Sequence, residues 1–561
     1  MDGLEQYTLW RERATDSQAQ ELEALSQDER AQRFAKALRF GTAGIRAKME
    51  LGPGGLNDYT VAKTAYGVAA YLLATTLPKR CAIGYDSRHN SKEFSQLCAR
   101  ILAEQGLEVF LYDRVAPTPM VSFAVRYLEC GVGIVVSASH NTKEYNGLKC
   151  YGPDGCQMTQ AHADLVLKEI ENAPWFQMPQ KSFEALAAEN QIQIISQAVW
   201  QAYYEAVLGQ LMRPEACKAL RVVYSPLCGA GAEPVAQILR QLGVEAFLPE
   251  SQSRPSGDFA TCPVPNPEEE QAFAESYRLA ETMKPDLILA TDPDSDRIAA
   301  AIPVEGGFQK FTGNELGCLL LDYLLSTGRE LGKLSKQPVA VTSVVSTPLA
   351  EKICRHYGCK LAQVLTGFKY IGEAILQLER DGREEDFLFG FEESCGFLKG
   401  SYVRDKDAVV TAALLCEMTA HLKANRQTLL EKLEELYARF GYCETRLQSI
   451  VYASQEQQAR CEKLIAGLQT QRPKKLGELT LTALADYSRG VILFSDGHEE
   501  PTNLPQESMI GLWTQDGGRI MIRPSGTEPK MKLYYAAMAS SRQEAMEQVA
   551  LLQAQMHHGK S

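Results

Sequence analysis

The chain has 561 residues, 45% hydrophobic and 23% charged, the balance of an ordinary globular protein. Its formal charge of −12 argues against nucleic acid, which demands a basic face, yet leaves room for a local anion pocket built from Arg, Lys and helix N-termini. No run approaches the ~18 apolar residues of a membrane span, and MDGLEQYTLWRERATDSQAQELEA at the N-terminus has no apolar h-region.

The fifteen cysteines, none spaced as CxxC, sit singly in apolar segments such as GCLLLDYLL. That pattern predicts free, buried thiols in a reducing cytoplasm and no zinc site.

The first 40 or so residues read as helical, with LEALSQDERAQRFAKALRF carrying apolar residues at roughly helical spacing. FGTAGIRAKMELGPGGLN, from Phe40, is Gly-rich and predicts a loop. TVAKTAYGVAAYLLATTL predicts a long helix. A theme of strand, polar turn and helix then recurs three times: RCAIGYDSRHNS before KEFSQLCARILAEQG, LRVVYSPLCGAG before AEPVAQILRQLG, and PVAVTSVVSTP before LAEKICRHYG. The residues differ between copies, so what repeats is architecture. Such alternation predicts parallel sheets built from βαβ units, with ligands beyond the carboxyl ends of the strands. The three turns are therefore candidate site loops. From about Tyr442 shorter strands (ELTLTAL, VILFS, RIMIRPSG) and a closing helix, SSRQEAMEQVALLQAQM, predict a smaller α+β domain. About four domains are expected at ~150 residues each, with joints near residues 205, 315 and 440, giving 1–205, 206–315, 316–440 and 441–561.

Four loops carry chemistry. In SASHNTKEYNGLK, after the apolar GVGIVV, Ser137 and Ser139 stand beside His140 at the end of a buried strand; a surface turn and a nucleophile on a rigid edge both fit. In ATDPDSDR, after DLILA, Asp292, Asp294 and Asp296 alternate and would share one face of an extended segment. Three such carboxylates repel one another, and an oxygen-only donor set suits Mg²⁺; a solvated acidic turn is the other reading. A calcium hand is excluded, because Arg297 stands where its loop needs Gly and Pro303 where it needs Glu. In FLFGFEESCGFLKGSYVRDKDAV, Glu392 and Glu393 lie on a turn framed by Gly390 and Gly396, and carboxylates there could hold sugar hydroxyls or form an exposed acidic hairpin. In MIRPSGTEPKMKLYY, Arg523 ends a strand before Ser525, Gly526 and Thr527, with Lys530 and Lys532 close behind. A guanidinium, two hydroxyls and turn N–H groups suit a phosphate, though a basic β-turn has the same look.

Together the four motifs, in this order, identify the chain as resembling the α-D-phosphohexomutase superfamily, most closely its phosphoglucomutase/phosphomannomutase/phosphopentomutase branch, from about Phe40 to Tyr535. The resemblance implies four domains around a central cleft: three similar α/β domains with mixed or parallel sheets and a smaller α+β C-terminal domain. It implies an intramolecular phosphotransferase that interconverts hexose 1-phosphate and hexose 6-phosphate, glucose first among them. Ser139 would carry a phosphoryl group and ligate Mg²⁺ with Asp292, Asp294 and Asp296. A phosphoserine adds roughly −1.5 to −2 charge, which Arg297, Lys149 and Arg46 would help offset. Glucose 1,6-bisphosphate would be intermediate and activator. Glu392 and Ser394 would hold ring hydroxyls, Arg523, Ser525, Gly526 and Thr527 the non-reacting phosphate, and Lys369 would serve proton transfer where some relatives have His. The resemblance implies a cytoplasmic monomer or homodimer whose partners are small sugar phosphates, with neither nucleic acid nor membrane.

For His140, adjacent side chains in an extended segment point opposite ways, so bracing the loop is the role expected of it. The sequence departs from the family in Ser137, where Thr is usual, and in Cys395 on the sugar loop. The alternatives are mannose or pentose phosphate as main substrate, a hexose 1,6-bisphosphate synthase, a metal-assisted phosphatase, and a non-catalytic sugar-phosphate sensor. A separate phosphate-gripping turn argues against the phosphatase, and the presence of Ser139 and all three aspartates against the sensor.

Overall fold

The computed structural model describes residues 3–38, 44–452, 454–524 and 530–558. The chain forms two compact units, one from the residues up to Leu316 with Phe368–Asn425, the other from Gly317–Gly367 with the residues from Arg426 onward. The stretch 316–440 is thus shared between them. Among the described residues no helix is long and apolar enough to cross a membrane. The fifteen cysteines are free, and all but Cys443 are buried.

In the first unit, three short helices, Gly3–Arg13, Asp16–Glu23 and Gln27–Phe34, precede the first sheet. Ser26 caps the third, accepting from the Glu29 N–H while the Glu29 carboxylate returns to the Ser26 N–H. Their apolar faces close a small core of Tyr7, Trp10, Leu22, Leu25 and Phe34. The Trp10 ring meets Tyr59, Trp175 and Phe176 edge-on, with centroids 5.3–5.5 Å apart, which ties these helices to the first sheet's outer layer.

That sheet runs Gly44–Lys48, Tyr145–Tyr151, Val132–Val136, Arg80–Tyr85, Glu108–Leu111, Ile192–Ile194. The last four strands are parallel; Tyr145–Tyr151 runs antiparallel to its neighbour Val132–Val136, and Gly44–Lys48 antiparallel to Tyr145–Tyr151. The strand Gly44–Lys48 corrects the expectation of a loop from Phe40. Ile45 and Ala47 alternate inward between exposed Arg46 and Lys48, a five-residue pattern hidden by the flanking glycines. All of Val132–Val136 is buried, and each such aliphatic side chain contributes ~1.5–3 kcal/mol.

The second sheet repeats the plan: Gly307–Lys310, Ile298–Val304, Leu287–Thr291, Arg221–Ser225, Glu245–Phe247, the last three parallel and the first two antiparallel. A hairpin, Phe387–Glu392 with Gly396–Lys399, and the buried helix Ala408–Ala424, N-capped by Asp407, complete the unit.

The second unit holds a parallel pair, Val339–Ser343 and Lys360–Val364, linked through helix Leu349–Tyr357. Its larger sheet is antiparallel: Tyr442–Val451, Lys530–Ala539, Arg519–Pro524, Ile510–Thr514, Leu479–Asp486, Val491–Phe494, Glu499–Pro501. Helices Gln455–Gln471 and Arg542–His558 cover one face, where Leu468, Val549 and Leu552 pack on Leu512, Ile522 and Leu533. This is the expected smaller C-terminal α+β domain, and the three preceding domains are α/β.

Candidate active site

Three of the four motif loops fall at one kind of place, the turn from an inner strand into its antiparallel neighbour: 137–144, 292–297 and 393–395. The strand-to-helix turns expected to be site loops instead buttress two of them. Gly229, in the turn after Arg221–Ser225, lies so close to the aspartate loop that a Cβ there would stand 2.4 Å from the Pro293 Cα, and the Ala230 N–H donates to the Pro293 carbonyl.

Ser139 is buried, and its φ of +53° is in the left-handed region. Its Oγ donates to Asp292 Oδ2 at 2.6 Å, and its N–H to Ser137 Oγ at 2.8 Å. The segment is therefore not extended here. His140 Nδ1 stands 3.2 Å from Ser139 Oγ, so the argument from alternation that set His140 aside does not hold. Burial and the nearby cations Arg297 and Arg46 hold the His140 pKa well below its usual value.

The aspartates converge by a tight turn as well. Asp292 Oδ1 accepts from the N–H groups of Asp296 and Arg297, and Ser295 takes a φ of +55°. One carboxylate oxygen from each of Asp292, Asp294 and Asp296 lies within 4.8 Å of the others, all buried. Asp294 Oδ2 accepts from Thr118 Oγ1 and from Lys149 Nζ, at 2.8 and 2.5 Å. Lys149 Nζ also reaches Asp296 Oδ2 at 2.9 Å. Asp294 Oδ1 and Asp296 Oδ1 accept no hydrogen bond. Burial and its two acidic neighbours push Asp292 well above the usual carboxylate range, the direction expected when three carboxylates share a dry turn. Two orphaned buried oxygens in an all-carboxylate cluster beside a hydroxyl fit a small hard cation.

Burial works against the charge on Lys149, and the Asp294 and Asp296 carboxylates more than offset it, so its pKa stands above the ordinary value. Arg297 links the triad to its surroundings: Nε lies 4.0 Å from Asp296 Oδ1, Nη1 donates to Glu268 Oε1 at 2.6 Å, and its backbone bridges Gly396 of the sugar loop. The Ile298 N–H also donates to the Cys395 carbonyl. The aspartate and sugar loops are thereby strapped together. Glu392 is buried at the end of its strand opposite Gly396, and Ser394 is half-buried in the turn. Arg46 donates to Asn141 Oδ1, within the Ser139 loop, at 2.9 Å. Lys369 is buried at the start of helix Phe368–Arg380, its Nζ 4.7 Å from the Tyr370 ring centroid. Arg523 belongs to the second unit, where Nε donates to Glu507 Oε1 at 2.7 Å. Ser525, Gly526 and Thr527 lie outside the described residues.

Models of the phosphoglucomutase/phosphomannomutase α/β/α domains I, II and III match residues 37–175, 201–305 and 312–440. A phosphoglucomutase of Staphylococcus aureus strain MSSA476 is 35% identical over 535 residues, 94% of each chain. The chain belongs to the phosphoglucomutase/phosphomannomutase family. It is a mutase of that class. Among solved structures, parafusin, a phosphoglucomutase of Paramecium, superposes with a TM-score of 0.69 at 17% identity, covering 92% of this chain and 95% of that one. A phosphoglucomutase/phosphomannomutase family protein from Burkholderia thailandensis gives 0.66 at 18% identity, covering 92% and 97%.

In this family member two further cations, neither expected from the motifs, stand beside the site. Lys406 Nζ lies 3.2 Å from Asp296 Oδ2 and 3.0 Å from Asp405 Oδ1. Its signal was present in RDKDA, a lysine between two acids just after the sugar loop. Arg88, in DSRHNS, is fully buried behind the Ser139 loop; a charged residue in a short turn after an apolar strand was its only signal.

Proposed function

We propose that the protein interconverts α-D-glucose 1-phosphate and glucose 6-phosphate, with Ser139 as phosphoryl carrier and glucose 1,6-bisphosphate as intermediate and activator. One observation carries this reading: the Ser139 hydroxyl is buried 2.6 Å from Asp292, at the edge of the carboxylate triad. A simple acid–base serine would have no use for three converging carboxylates.

In the first half-reaction the Oγ–P bond at Ser139 breaks as a P–O bond forms to the free hydroxyl of the sugar phosphate. In the second, the other phosphate of the bisphosphate returns to Ser139. Asp292, Asp294, Asp296 and the Ser139 phosphate would hold Mg²⁺, which when bound supplies charge stabilisation for the moving phosphoryl group. Lys149 places a fixed positive charge on the same carboxylates, and Arg46 and Arg297 add positive charge nearby. Glu392 and Ser394 take ring hydroxyls, Lys369 takes the proton of the attacking hydroxyl, and Arg523 with Ser525, Gly526 and Thr527 takes the phosphate that is not reacting. The four-domain partition with joints near residues 205, 315 and 440 gives each loop its own domain.

The test supplies Mg²⁺ and a trace of glucose 1,6-bisphosphate with glucose, mannose and pentose 1-phosphates side by side. Fastest turnover to glucose 6-phosphate, lost in Ser139→Ala, supports the reading. Faster turnover of mannose or pentose phosphate reassigns the substrate. Release of inorganic phosphate makes the protein a phosphatase, and binding without turnover makes it a sensor.

A further inference from the structure

The turn Asp86–Ser91 was singled out by its place after a buried strand, yet the reaction as described uses none of it. At its centre is Arg88, with a side chain wholly buried. Its Nη1 donates to the carbonyls of Thr142 and Tyr145 at 2.8 and 3.1 Å. Its Nη2 donates to the carbonyls of Ser139 and Asn141, the latter at 2.5 Å. Nε lies 3.2 Å from Asp86 Oδ2. That oxygen accepts from Ser137 Oγ at 2.7 Å, and Ser137 Oγ accepts from the Ser139 N–H. Asp86 Oδ1 accepts from Ser91 Oγ at 2.7 Å and from the Arg88 N–H at 3.0 Å.

Both backbone polar groups of Ser139 thus end on one buried ion pair: its carbonyl on Arg88 directly, its N–H through Ser137 on Asp86. A residue with a Cβ avoids a φ of +53°, and holding it there costs of order 1 kcal/mol, so the surroundings must enforce it. Four carbonyls drawn onto one planar fork are such an enforcement. In that conformation the Ser139 Oγ meets Asp292.

We infer that Arg88 is a positioning residue for the reaction: with Asp86 and Ser137 it locks the Ser139 backbone in the left-handed conformation that aims the hydroxyl at the aspartate triad. The requirement is for the guanidinium fork rather than for positive charge, since an ammonium cannot reach four carbonyls spread over residues 139 to 145. The inference rests on Ser139 being the phosphoryl carrier.

The experiment compares Arg88→Lys, Ser137→Ala and Ser137→Thr with Ser139→Ala in the full-length protein. Steady-state kinetics on glucose 1-phosphate, single-turnover transfer from glucose 1,6-bisphosphate to the protein, and thermal unfolding are measured together. Misaiming a reacting group by about 1 Å costs roughly 100-fold. Arg88→Lys is expected to lower kcat and the single-turnover rate by about that factor, with KM within about threefold. Ser137→Ala, which removes the hydroxyl that links the Ser139 N–H to Asp86 and leaves the Arg88 fork in place, is expected to lower both rates about tenfold without a large change in Tm, and Ser137→Thr to recover them. Wild-type transfer rates in Ser137→Ala, or in a folded Arg88→Lys, overturn the inference. Loss of rate with no recovery in Ser137→Thr also overturns it. If Ser139→Ala still turns over, the phosphoryl-carrier reading itself fails, whatever the other variants do.

Discussion

Lys406 Nζ stands 3.2 Å from Asp296 Oδ2, and Lys149 Nζ reaches the same oxygen at 2.9 Å. Two ammonium groups on one carboxylate oxygen mean that part of the triad's negative charge is offset by the protein itself. Burial opposes the Lys406 charge, and Asp296, Asp405 and Glu392 overcome it, so its pKa lies above the usual lysine value. Losing one preorganised charge at a phosphoryl-transfer site costs roughly 100- to 1,000-fold in kcat. Lys406→Met is expected to fall in that range with KM for glucose 1-phosphate little changed. The Lys149→Met/Lys406→Met pair is expected to be non-additive, because both act on one oxygen. Wild-type kcat in Lys406→Met would show that the contact is structural only.

Removal of divalent cations is expected to abolish turnover and Mg²⁺ to restore it. A second readout does not depend on activity. A ligand that binds only the native state at about 100 times its Kd stabilises by ~2.7 kcal/mol, so saturating Mg²⁺ is expected to raise Tm by several degrees. Asp294→Asn removes a carboxylate charge from the triad, including an oxygen left without a hydrogen bond, and is expected to remove most of that rise. An unchanged Mg²⁺-dependent rise in Asp294→Asn would exclude the triad as the cation site.

How much of this was written in the sequence depends on the kind of interaction. GVGIVV followed by SASHN reads as a buried strand meeting a polar loop because burial demands apolar side chains and a loop does not. The convergence of Asp292, Asp294 and Asp296 was expected for the wrong reason: not strand alternation but a turn closed by the Asp292 carboxylate on two N–H groups. The strand Gly44–Lys48 was hidden because two inward residues between glycines carry too little pattern to separate a strand from a loop. The role of Arg88 does not show in DSRHNS because, beyond Asp86, its partners are carbonyl groups, which every residue possesses. Lys406 stands between two acids in RDKDA, but that pattern does not give its role, because its acceptor, Asp296, lies in a different loop that only the fold brings near.

Glu392 ends a strand, is buried, and faces Gly396 across the hairpin turn. A buried carboxylate on a rigid hairpin can accept two hydroxyl hydrogen bonds without reorganising, each worth ~1.5–3 kcal/mol. Glu392→Gln keeps the shape and removes the charge. KM for glucose 1-phosphate is expected to rise roughly tenfold with kcat within about threefold, the signature of binding lost equally in ground and transition states. Unchanged kinetics in Glu392→Gln would strip this residue of its place at the sugar.

Gly229 offers the sharpest test of whether the strand-to-helix turn of the second sheet supports the aspartate loop. A Cβ at this position would sit 2.4 Å from the Pro293 Cα and 2.6 Å from the Pro293 carbonyl oxygen, and both are backbone atoms that cannot rotate away. Gly229→Ala must therefore push Pro293, and with it Asp292 and Asp294, out of register. Overpacking of this kind costs typically ~1–3 kcal/mol, and the displaced carboxylates are expected to weaken apparent Mg²⁺ affinity by about tenfold in activity and calorimetric titrations. Gly467→Ala is the control: it lies inside helix Gln455–Gln471 with no atom within 4 Å of the added methyl, so it is expected to stabilise slightly, by ~0.5–1 kcal/mol, and to leave Mg²⁺ affinity alone. Equal Mg²⁺ affinity in the two variants would mean that the aspartate loop holds its geometry without the turn behind it.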